Sequence, residues 1–388
     1  MDIELKIEKL VFGGDGLGFV DGKAFFVEGA LPGEKVLARL LTEKPNYVRA
    51  SLIRILEASN HRVIPPCPYI ERCGGCQYQH LPYFEELVWK EKQVRESFQQ
   101  AFQLDPALIH PIQSGPKEYG YRNSISLHRT TEKNHKPQRL SFIGRDNYSK
   151  VLIDHCMLAD DPLKTIFKDE HKLNRNEERR GFKLDEKNRI FTSDDERIYR
   201  VHAGGKTFWT SSMGFFQNNI AVTELIGKQL ATWVQAITPA RFMDLYAGVG
   251  TFSLLSAAEV PEIFCFEESP HSIGCARRNF KEMNVPLAGV FTGKVEKTFP
   301  RFILQNPRPG TLIFMDPPRL GIASSLASFL SKGDAAEHII YLACDLQILL
   351  RDLKNIMPTD RYQIQSVIPF DMFPRTKHIE ILTLLKRV

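Results

Sequence analysis

The 388-residue sequence lacks any apolar run long enough to cross a membrane, and its start does not look like a secretory leader. A spanning helix needs about 20 consecutive apolar residues, whereas the first six residues, MDIELK, already alternate charged and apolar side chains. Internal repeats and low-complexity tracts are also absent. We therefore expect a globular cytoplasmic protein with no membrane partner.

Cysteine is scarce and odd in number, with seven residues in the chain. In a chain without an export signal, this argues against a disulfide framework and for metal-binding or catalytic thiols in a reducing cytoplasm. The chain also has no large excess of charge of either sign, since 51 basic and 46 acidic residues give a net charge of +5. Such a balance permits nucleic-acid binding without requiring it, because a basic groove can be local.

A glycine turn stands between two predicted secondary-structure elements. Residues 242–245 form a short apolar strand, and Gly248 and Gly250 follow in a turn that opens a helix. Only glycine lets the backbone approach a ligand this closely. The next apolar strand ends in Glu267, an acid placed to bind ribose hydroxyls. Because the loop departs from G-x-G-x-x-G, S-adenosylmethionine (SAM), which has no phosphate, is favoured over a dinucleotide. A plain tight turn is the alternative.

Two further apolar strands deliver reactive side chains at their ends. Residues 312–315 lead into Asp316 and two prolines, and residues 338–343 lead into Cys344. Ligands of open α/β sheets lie beyond the carboxyl ends of the strands, so Asp316 is predicted to face the same cleft as Glu267. Taken alone, Asp316 could equally cap a helix, and Cys344 would more often be an inert buried thiol.

Three cysteines lie close together in the sequence, in a C-x5-C-x2-C pattern formed by Cys67, Cys73 and Cys76. Gly74 and Gly75 allow the backbone to wrap a compact site, which needs a fourth ligand. Spacing alone does not separate a zinc site from an iron-sulfur cluster. Cys265 and Cys275 are predicted to be core residues.

Three regions are predicted along the chain. Residues 1–60 contain about five short strands, which predict a small barrel that either docks RNA or serves only folding. Residues 61–212 form a mixed domain with a helix near 83–102 and strands around 121–128. Its charged stretch 164–189 is expected to be a solvated, mobile excursion. Residues 213–388 form a doubly wound α/β domain.

Five motifs, in this order and spacing, resemble those of SAM-dependent RNA uracil-5-methyltransferases: Gln217 within 214–219, the loop 244–250, Asp316–Arg319, Cys344, and 376–380 ending in Glu380. The N-terminal region and the cysteines resemble the branch with a TRAM domain and an iron-sulfur cluster, whose best-known members modify bacterial 23S ribosomal RNA. The resemblance implies a Rossmann-like methyltransferase domain, a TRAM/OB-like barrel and a central iron-sulfur domain. We expect a monomer.

The resemblance also implies roles in the reaction. A thiolate must add to C6 of uracil before C5 can attack the methyl group, and a base must then remove the C5 proton. Cys344 is the implied nucleophile and Glu380 the implied base. The implied substrate is 23S ribosomal RNA, with transfer RNA as the alternative, and Arg122 resembles an arginine near the target nucleotide. An unpaired surface arginine is the competing interpretation of Arg122.

The resemblance further implies which residues hold the cofactors. SAM is expected to bind Gln217, Tyr246, Glu267 and Asp316 beside the glycine loop. Cys156 is implied as the fourth thiolate of a [4Fe-4S] cluster.

Two departures from the family pattern stand in the sequence. Relatives usually have Ser-Cys-Asn-Pro at the nucleophile, whereas this chain has Ala-Cys344-Asp345-Leu346. Asp345 is expected to oppose thiolate formation. Lys294 stands where relatives carry an acid for the adenine amino group, although Glu296 could replace it. These departures leave open an RNA-binding iron-sulfur protein that has lost methyl transfer.

Overall fold

The computed structural model describes residues 2–130, 140–167 and 178–388. The N-terminal region is a closed barrel with strand order β1-β2-β3-β5-β4. Its strands are β1 (Asp2–Leu10), β2 (Asp15–Val20), β3 (Lys23–Glu28), β4 (Lys35–Glu43) and β5 (Tyr47–Glu57). Leu5 and Ile7 point into the barrel core while the charged residues between them face solvent. The predicted small barrel is confirmed, and its role in RNA docking stays a prediction.

A long helix and a small sheet follow the barrel. Helix α1 (Tyr83–Phe102) has the predicted limits. The sheet has the order β11-β10-β7-β8-β9. Its strands are β7 (Ser124–Arg129), β8 (Leu140–Ile143), β9 (Lys150–Leu152), β10 (Arg179–Leu184) and β11 (Ile190–Thr192). The short strand β6 (Gln113–Ser114) instead joins the C-terminal sheet.

The sequence predicted a solvated, mobile excursion for the charged stretch 164–189. Residues 168–177 lie outside the described residues. The prediction is wrong for β10, whose Phe182 and Leu184 are buried against Ile125 and Leu127. Alternating apolar residues with strand period outweigh the charges around them.

The C-terminal region is built on an eight-stranded sheet with the order β16-β15-β14-β17-β18-β20-β19-β6. Its further strands are β14 (Arg241–Leu245), β15 (Glu262–Glu267), β16 (Gly289–Thr292), β17 (Thr311–Met315), β18 (His338–Ala343), β19 (Tyr362–Asp371) and β20 (Glu380–Arg387). Strands β14 to β18 are parallel, and β20 runs antiparallel between β18 and β19.

Helices cover both faces of this sheet, as predicted for a doubly wound fold. They are α2 (Ile220–Ile237), α3 (Thr251–Ser256), α4 (Pro270–Glu282), α5 (Val295–Gln305), α6 (Ser324–Leu330) and α7 (Leu346–Ile356). Met243 and Leu245 face the core under α5 to α7, whereas Phe242 faces the core under α2 to α4. No described helix has the length and apolar character of a membrane span.

A hairpin of β12 (Ile198–Ala203) and β13 (Lys206–Ser211) precedes this domain in the sequence. Its Tyr199 and Phe208 pack in the same core as α2 and α4. The predicted domain limits at 60 and 212 stay predictions. The parallel strands set the position of the site, because their carboxyl ends meet at one edge of the sheet.

Candidate active site

A cavity of about 620 Å³ lies at the carboxyl ends of β14, β15, β17 and β18. Seven residues that the sequence predicted to act together line it: Gln217, Tyr246, Gly248, Glu267, Asp316, Cys344 and Glu380. They come from the carboxyl ends of four strands, the start of β20 and the loop before α2, so the fold brings together side chains up to 163 positions apart in sequence (217 to 380).

The glycine turn after β14 adopts a conformation that needs glycine. Gly248 and Gly250 have positive φ angles of 56° and 80°. A Cβ atom at Gly250 would lie 2.7 Å from Cε2 of Phe280 in α4. Asn279 holds the turn from the same helix by donating to the carbonyl oxygen of Val249 at 3.0 Å. Gly250 therefore lets the turn pack closely on α4, while Gly248 lines the cavity.

Glu267 is fixed at the tip of β15 by backbone donors. Its Oε2 accepts from the Gly248 amide at 2.9 Å, and its Oε1 accepts from the Ser269 amide at 2.7 Å. Each carboxylate oxygen can accept a second hydrogen bond. This leaves Glu267 capacity for the two hydroxyl groups of a ribose.

Gln217 reaches Asp316 across the cavity. Its Nε2 donates to Oδ2 of Asp316 at 3.0 Å. Burial raises the pKa of Asp316 to about 7, and the hydrogen bond from Gln217 opposes that rise. The amide thus stabilises the charged form of a carboxylate that its surroundings would otherwise keep neutral.

Glu380 is not the surface acid that its position in the terminal strand suggested. It is the first residue of β20 and only 5% exposed. Its Oε2 is buried, with no hydrogen-bond partner among the described residues. Burial and then the charge of Asp316 raise the pKa of Glu380 well above its usual range, while Arg319 opposes the rise. A buried carboxyl oxygen without a partner is unusual in a folded protein, and together with the shifted pKa it marks Glu380 as a candidate functional group.

Cys344 follows the last residue of β18 directly, lines the cavity and is partly exposed. Burial raises the pKa of its thiol to about 12, with Glu380 and Asp316 adding to the rise and Arg319 opposing it. The three acidic groups Cys344, Asp316 and Glu380 therefore influence one another's ionisation, and Arg319 is the nearby cation that favours the thiolate.

The expectation that Asp345 opposes the thiolate is not supported by the structure, because its carboxylate acts elsewhere. Asp345 is the N-cap of α7 and accepts from the amides of Gln347 at 2.9 Å and Ile348 at 3.1 Å. The carboxylates that raise the pKa of Cys344 are Glu380 and Asp316. Asp caps a helix about as well as Asn does. Asp345 therefore supplies the cap of α7 in this chain.

The second departure, Lys294, has a similar local explanation. Lys294 is the N-cap residue of α5 and is not among the described residues that line the cavity, whereas Glu296 in the first turn of α5 is. The charge of Glu296 also contributes to the raised pKa of Tyr246, after burial. An acid therefore stands beside Tyr246, two positions later than the family pattern.

Arg319 and His378 are charged or titratable cavity residues to which the sequence gave no role. Arg319 follows Pro317 and Pro318, and His378 precedes Glu380 by two positions; both line the cavity. Burial, followed by nearby cations, lowers the pKa of His378 to about 3, so its ring is neutral. Arg319 lies inside the motif 316–319 and His378 inside 376–380, so these motifs could have identified both residues as candidate site residues.

The cysteines near the N-terminus lie in one neighbourhood. The pKa values of Cys67, Cys73 and Cys76 are raised. Burial is the largest cause for each thiol, and the charge of Cys156 adds to all three shifts. Among the described residues, no three His, Cys, Asp or Glu side chains are close enough to hold a metal ion. A metal site at these four thiols therefore stays a prediction.

Arg122 is not a free surface arginine. Its guanidinium stacks on the rings of Tyr121 and Phe373, and its Nε is buried without a hydrogen-bond partner among the described residues. It lines a second cavity of about 940 Å³ that runs over the central sheet. This groove shares Met213, Phe215 and Arg319 with the first cavity.

The groove is basic. Its cationic and histidine residues are Arg122, His128, Arg179, Lys183 and Arg319, and no Asp or Glu occurs among the described residues that line it. Burial lowers the pKa of Lys183 to about 8. A carboxylate-free groove that opens into the cavity of Cys344 suits a polyanion.

Comparisons with known proteins agree with this geometry. The family described as tRNA (Uracil-5-)-methyltransferase matches residues 185–388. The tRNA (uracil(54)-C(5))-methyltransferase of Schizosaccharomyces pombe is 30% identical over 421 residues, which cover 100% of this chain and 79% of that protein. An uncharacterized RNA methyltransferase of Protochlamydia amoebophila is 27% identical over 430 residues, covering 100% and 98% of the two chains.

A solved structure has the same fold over the whole chain. The Pyrococcus abyssi tRNA (uracil-54, C5)-methyltransferase in complex with S-adenosyl-L-homocysteine superposes with a TM-score of 0.72 at 19% identity. The match covers 99% of this chain and 100% of that chain. At this identity the likeness establishes the fold.

Proposed function

The chain belongs to the RNA uracil-5-methyltransferase family, and from that membership we propose that it methylates C5 of a uridine through a covalent adduct with Cys344. It is a SAM-dependent enzyme that acts on RNA. The observation that carries the covalent route is the meeting of Cys344, Asp316 and the unpartnered Oε2 of Glu380 in one cavity.

SAM is proposed to occupy the part of the cavity next to the glycine turn. Glu267 would accept the ribose hydroxyls, while Tyr246 and Glu296 flank the position of the adenine. Gln217 and Asp316 lie between this part and Cys344, where the methyl group must be presented. Support comes from the spare acceptor capacity of Glu267 and from the open backbone at Gly248, where a Cβ atom would meet no atom within 4 Å.

The proposed reaction forms and breaks bonds in a fixed order. Cys344 first loses its thiol proton to solvent, a step that the charge of Arg319 favours. The thiolate adds to C6, and the electron pair of the C5=C6 bond moves into an enolate. C5 then attacks the sulfonium methyl, which leaves S-adenosylhomocysteine. Ionised Glu380 takes the C5 proton, the C5=C6 bond re-forms, and Cys344 departs as a thiolate. The raised pKa makes the ionised carboxylate of Glu380 a stronger base, and the charge of Arg319 favours that ionised form.

RNA is proposed to lie in the basic groove with its target uridine turned into the cavity. A base inside a helix cannot reach Cys344, so it must leave its stack. Arg319 lines both the groove and the cavity, and Arg122 lines the groove with its guanidinium over the ring of Phe373, which lines the cavity. Arg319 would then lie beside the flipped nucleotide, where its charge also favours the thiolate.

Two classes of RNA are candidates for the substrate, each on a different ground. The N-terminal barrel and the cysteine set resemble the branch that modifies 23S ribosomal RNA, which makes ribosomal RNA the first candidate. Transfer RNA is the second, since the matching family and the Schizosaccharomyces pombe relative are named for tRNA. Mass-spectrometric mapping of 5-methyluridine, after the protein and SAM react with each unmodified RNA, decides between them.

Cys67, Cys73, Cys76 and Cys156 are proposed to hold a [4Fe-4S] cluster. Each thiolate of such a cluster would bind its own iron. The proposal is supported by the resemblance of the cysteine pattern to the iron-sulfur branch and by the influence of Cys156 on the pKa of the other three thiols. The cluster would cross-link the segments of the chain that carry its cysteines, and the proposed methyl-transfer steps do not involve the cluster. A reducing cytoplasm suits these thiols.

The covalent route is tested with two variants and denaturing electrophoresis. Glu380→Gln should still allow addition and methyl transfer, then stall as an enzyme–RNA adduct because the C5 proton stays in place. On the gel, the adduct of Glu380→Gln should appear as a protein band shifted by the bound RNA. Cys344→Ala should form no adduct and no product, and the double variant with both substitutions should show no shifted band. A fully active Cys344→Ala enzyme would refute the nucleophile assignment.

A further inference from the structure

The connection between β19 and β20, residues 372–379, is held by the loop that contains the N-terminal cysteines. The backbone amides of Gln77 and Tyr78 both donate to the carbonyl oxygen of Arg375, at 2.9 and 3.2 Å. In return, the Arg375 guanidinium donates to the carbonyl oxygens of Leu81 at 2.7 Å and Tyr78 at 3.3 Å. Glu380 follows this connection directly, so its position depends on these contacts.

Gln77 is the side chain that joins the two loops. Its Oε1 accepts from the Lys377 amide at 2.9 Å, three residues before Glu380. Its Nε2 donates to the carbonyl oxygen of Gly74 at 2.9 Å, between Cys73 and Cys76. One amide group thus connects the turn that contains the cysteines to the segment that leads into the proposed base.

Arg375 is held in a backbone conformation that needs such support. Its φ of 68° is unfavourable for a residue with a Cβ atom. Its own amide donates to Oε1 of Glu86 in α1 at 2.8 Å. Its carbonyl oxygen accepts the two donors of the cysteine loop. Hydrogen bonds from two other parts of the chain therefore compensate for the strain.

A buried ion network fixes the start of the same connection. Lys90 of α1 is 2% exposed and lies 2.7 Å from both Glu86 Oε1 and Asp371 Oδ1. Tyr83 donates to the other oxygen of Asp371 at 2.8 Å. Helix α1 therefore anchors the connection at Asp371, and the cysteine loop anchors it from Arg375 to Lys377, next to Glu380.

We propose that Gln77 is a positioning residue for Glu380, through which the cysteine loop sets the geometry of C5-proton removal. The inference rests on the proposed covalent route. Addition and methyl transfer depend on Cys344 and SAM, which β18 and the glycine turn hold independently of Gln77. Loss of the Gln77 contacts should therefore slow the last step more than the earlier ones.

The test uses the full-length enzyme with Gln77→Ala, and with Gln77→Met as a second variant that keeps the bulk of the side chain. Turnover should fall by about 10- to 100-fold, because displacing a catalytic group by about 1 Å can cost 100-fold. The steady-state fraction of Cys344-linked RNA adduct should rise. RNA carrying 5-deuterated uridine should show a larger kinetic isotope effect than with the wild-type enzyme, while SAM affinity stays unchanged.

Gln93→Ala is the matched control. Gln93 is a buried glutamine of α1 that also makes two hydrogen bonds, to Val11 and to the Tyr78 hydroxyl, at 3.1 and 3.3 Å. The Gln93→Ala substitution should lower the unfolding temperature without raising the adduct fraction or the isotope effect. If wild-type enzyme makes 5-methyluridine but both Gln77 variants match Gln93→Ala in these two measurements, the positioning role is wrong. Absence of product from the wild type would instead refute the proposed function.

Discussion

The side-chain amide of Gln217 donates to Oδ2 of Asp316 at 3.0 Å and so links the loop before α2 to the end of β17. These residues stand 99 positions apart in the sequence, and both line the cavity. Without this donor, burial would favour the neutral form of Asp316 still more strongly. The pair therefore keeps a negative charge close to where a positively charged sulfonium would bind.

Replacing Gln217 by Ala should shift the pH dependence of SAM binding. The pKa of Asp316 is already raised to about 7, and losing the donor raises it further. As pH falls, the variant's carboxylate is protonated at a higher pH than in the wild type, so affinity should be lost at a higher pH. Calorimetric titration over about pH 6 to 9 measures the midpoint. Asp316→Asn should remove the pH dependence, and an unshifted midpoint in Gln217→Ala would contradict the argument.

Glu267→Ala should weaken SAM binding by about 1.5 to 3 kcal/mol, because the ribose hydroxyls would lose a charged acceptor. The same titration at one pH measures this loss. Glu262→Ala is the control, since Glu262 lies at the opposite end of β15 and pairs with Arg241 and Arg308. Equal affinities for Glu267→Ala and wild type would rule out a ribose contact.

Replacing Asp345 separates its capping role from any effect of its charge. Asp345→Asn should keep both stability and turnover, because Asn is an equally good N-cap. Asp345→Ala should lose about 1 kcal/mol of unfolding free energy and part of the activity, since α7 begins directly after Cys344. Denaturant unfolding and methyl-transfer assays measure the two effects. A faster Asp345→Asn enzyme would show that the charge does oppose the thiolate.

Cys156→Ser should lose iron and soluble yield together, because the proposed cluster also joins the cysteine loop to the central sheet. Protein purified without air should be coloured and contain iron and sulfide. Cys275→Ala, which alters a buried cysteine of α4, should retain the iron. Colourless protein that contains zinc and no iron would overturn the cluster assignment.

Local patterns were sufficient to predict much of the fold. The limits of α1, the strand ends at Glu267 and Asp316, and the glycine turn follow from periodicity and turn chemistry within a few residues. The burial of Glu380 could not be predicted this way. It arises because β20 inserts between β18 and β19, so the environment of Glu380 depends on strands that begin 42 and 18 residues earlier (338 and 362 against 380).

The same limit applies to the contacts around the site. Asp345 looked like a charge beside a thiol, and only the geometry of α7 shows that its carboxylate is engaged by two amides. The contact of Gln77 with Lys377 spans 300 positions and has no sequence signature. Long-range packing decides such pairs, whereas motifs only name the residues that take part.

Arg179→Met should weaken RNA binding without changing SAM affinity. Arg179 lies at the start of β10, lines the basic groove and is exposed, and its guanidinium donates to the Ser126 hydroxyl at 2.8 Å. If it contacts one phosphate, the slope of log K against log salt should fall by about 1, because one counterion fewer is released. Filter binding across a salt series measures the slope. Arg189→Met is the control, since Arg189 pairs with Asp185 and is not among the described residues that line the groove. An equal slope in both variants would show that the RNA does not bind along the central sheet, and the proposed role of the groove would be wrong.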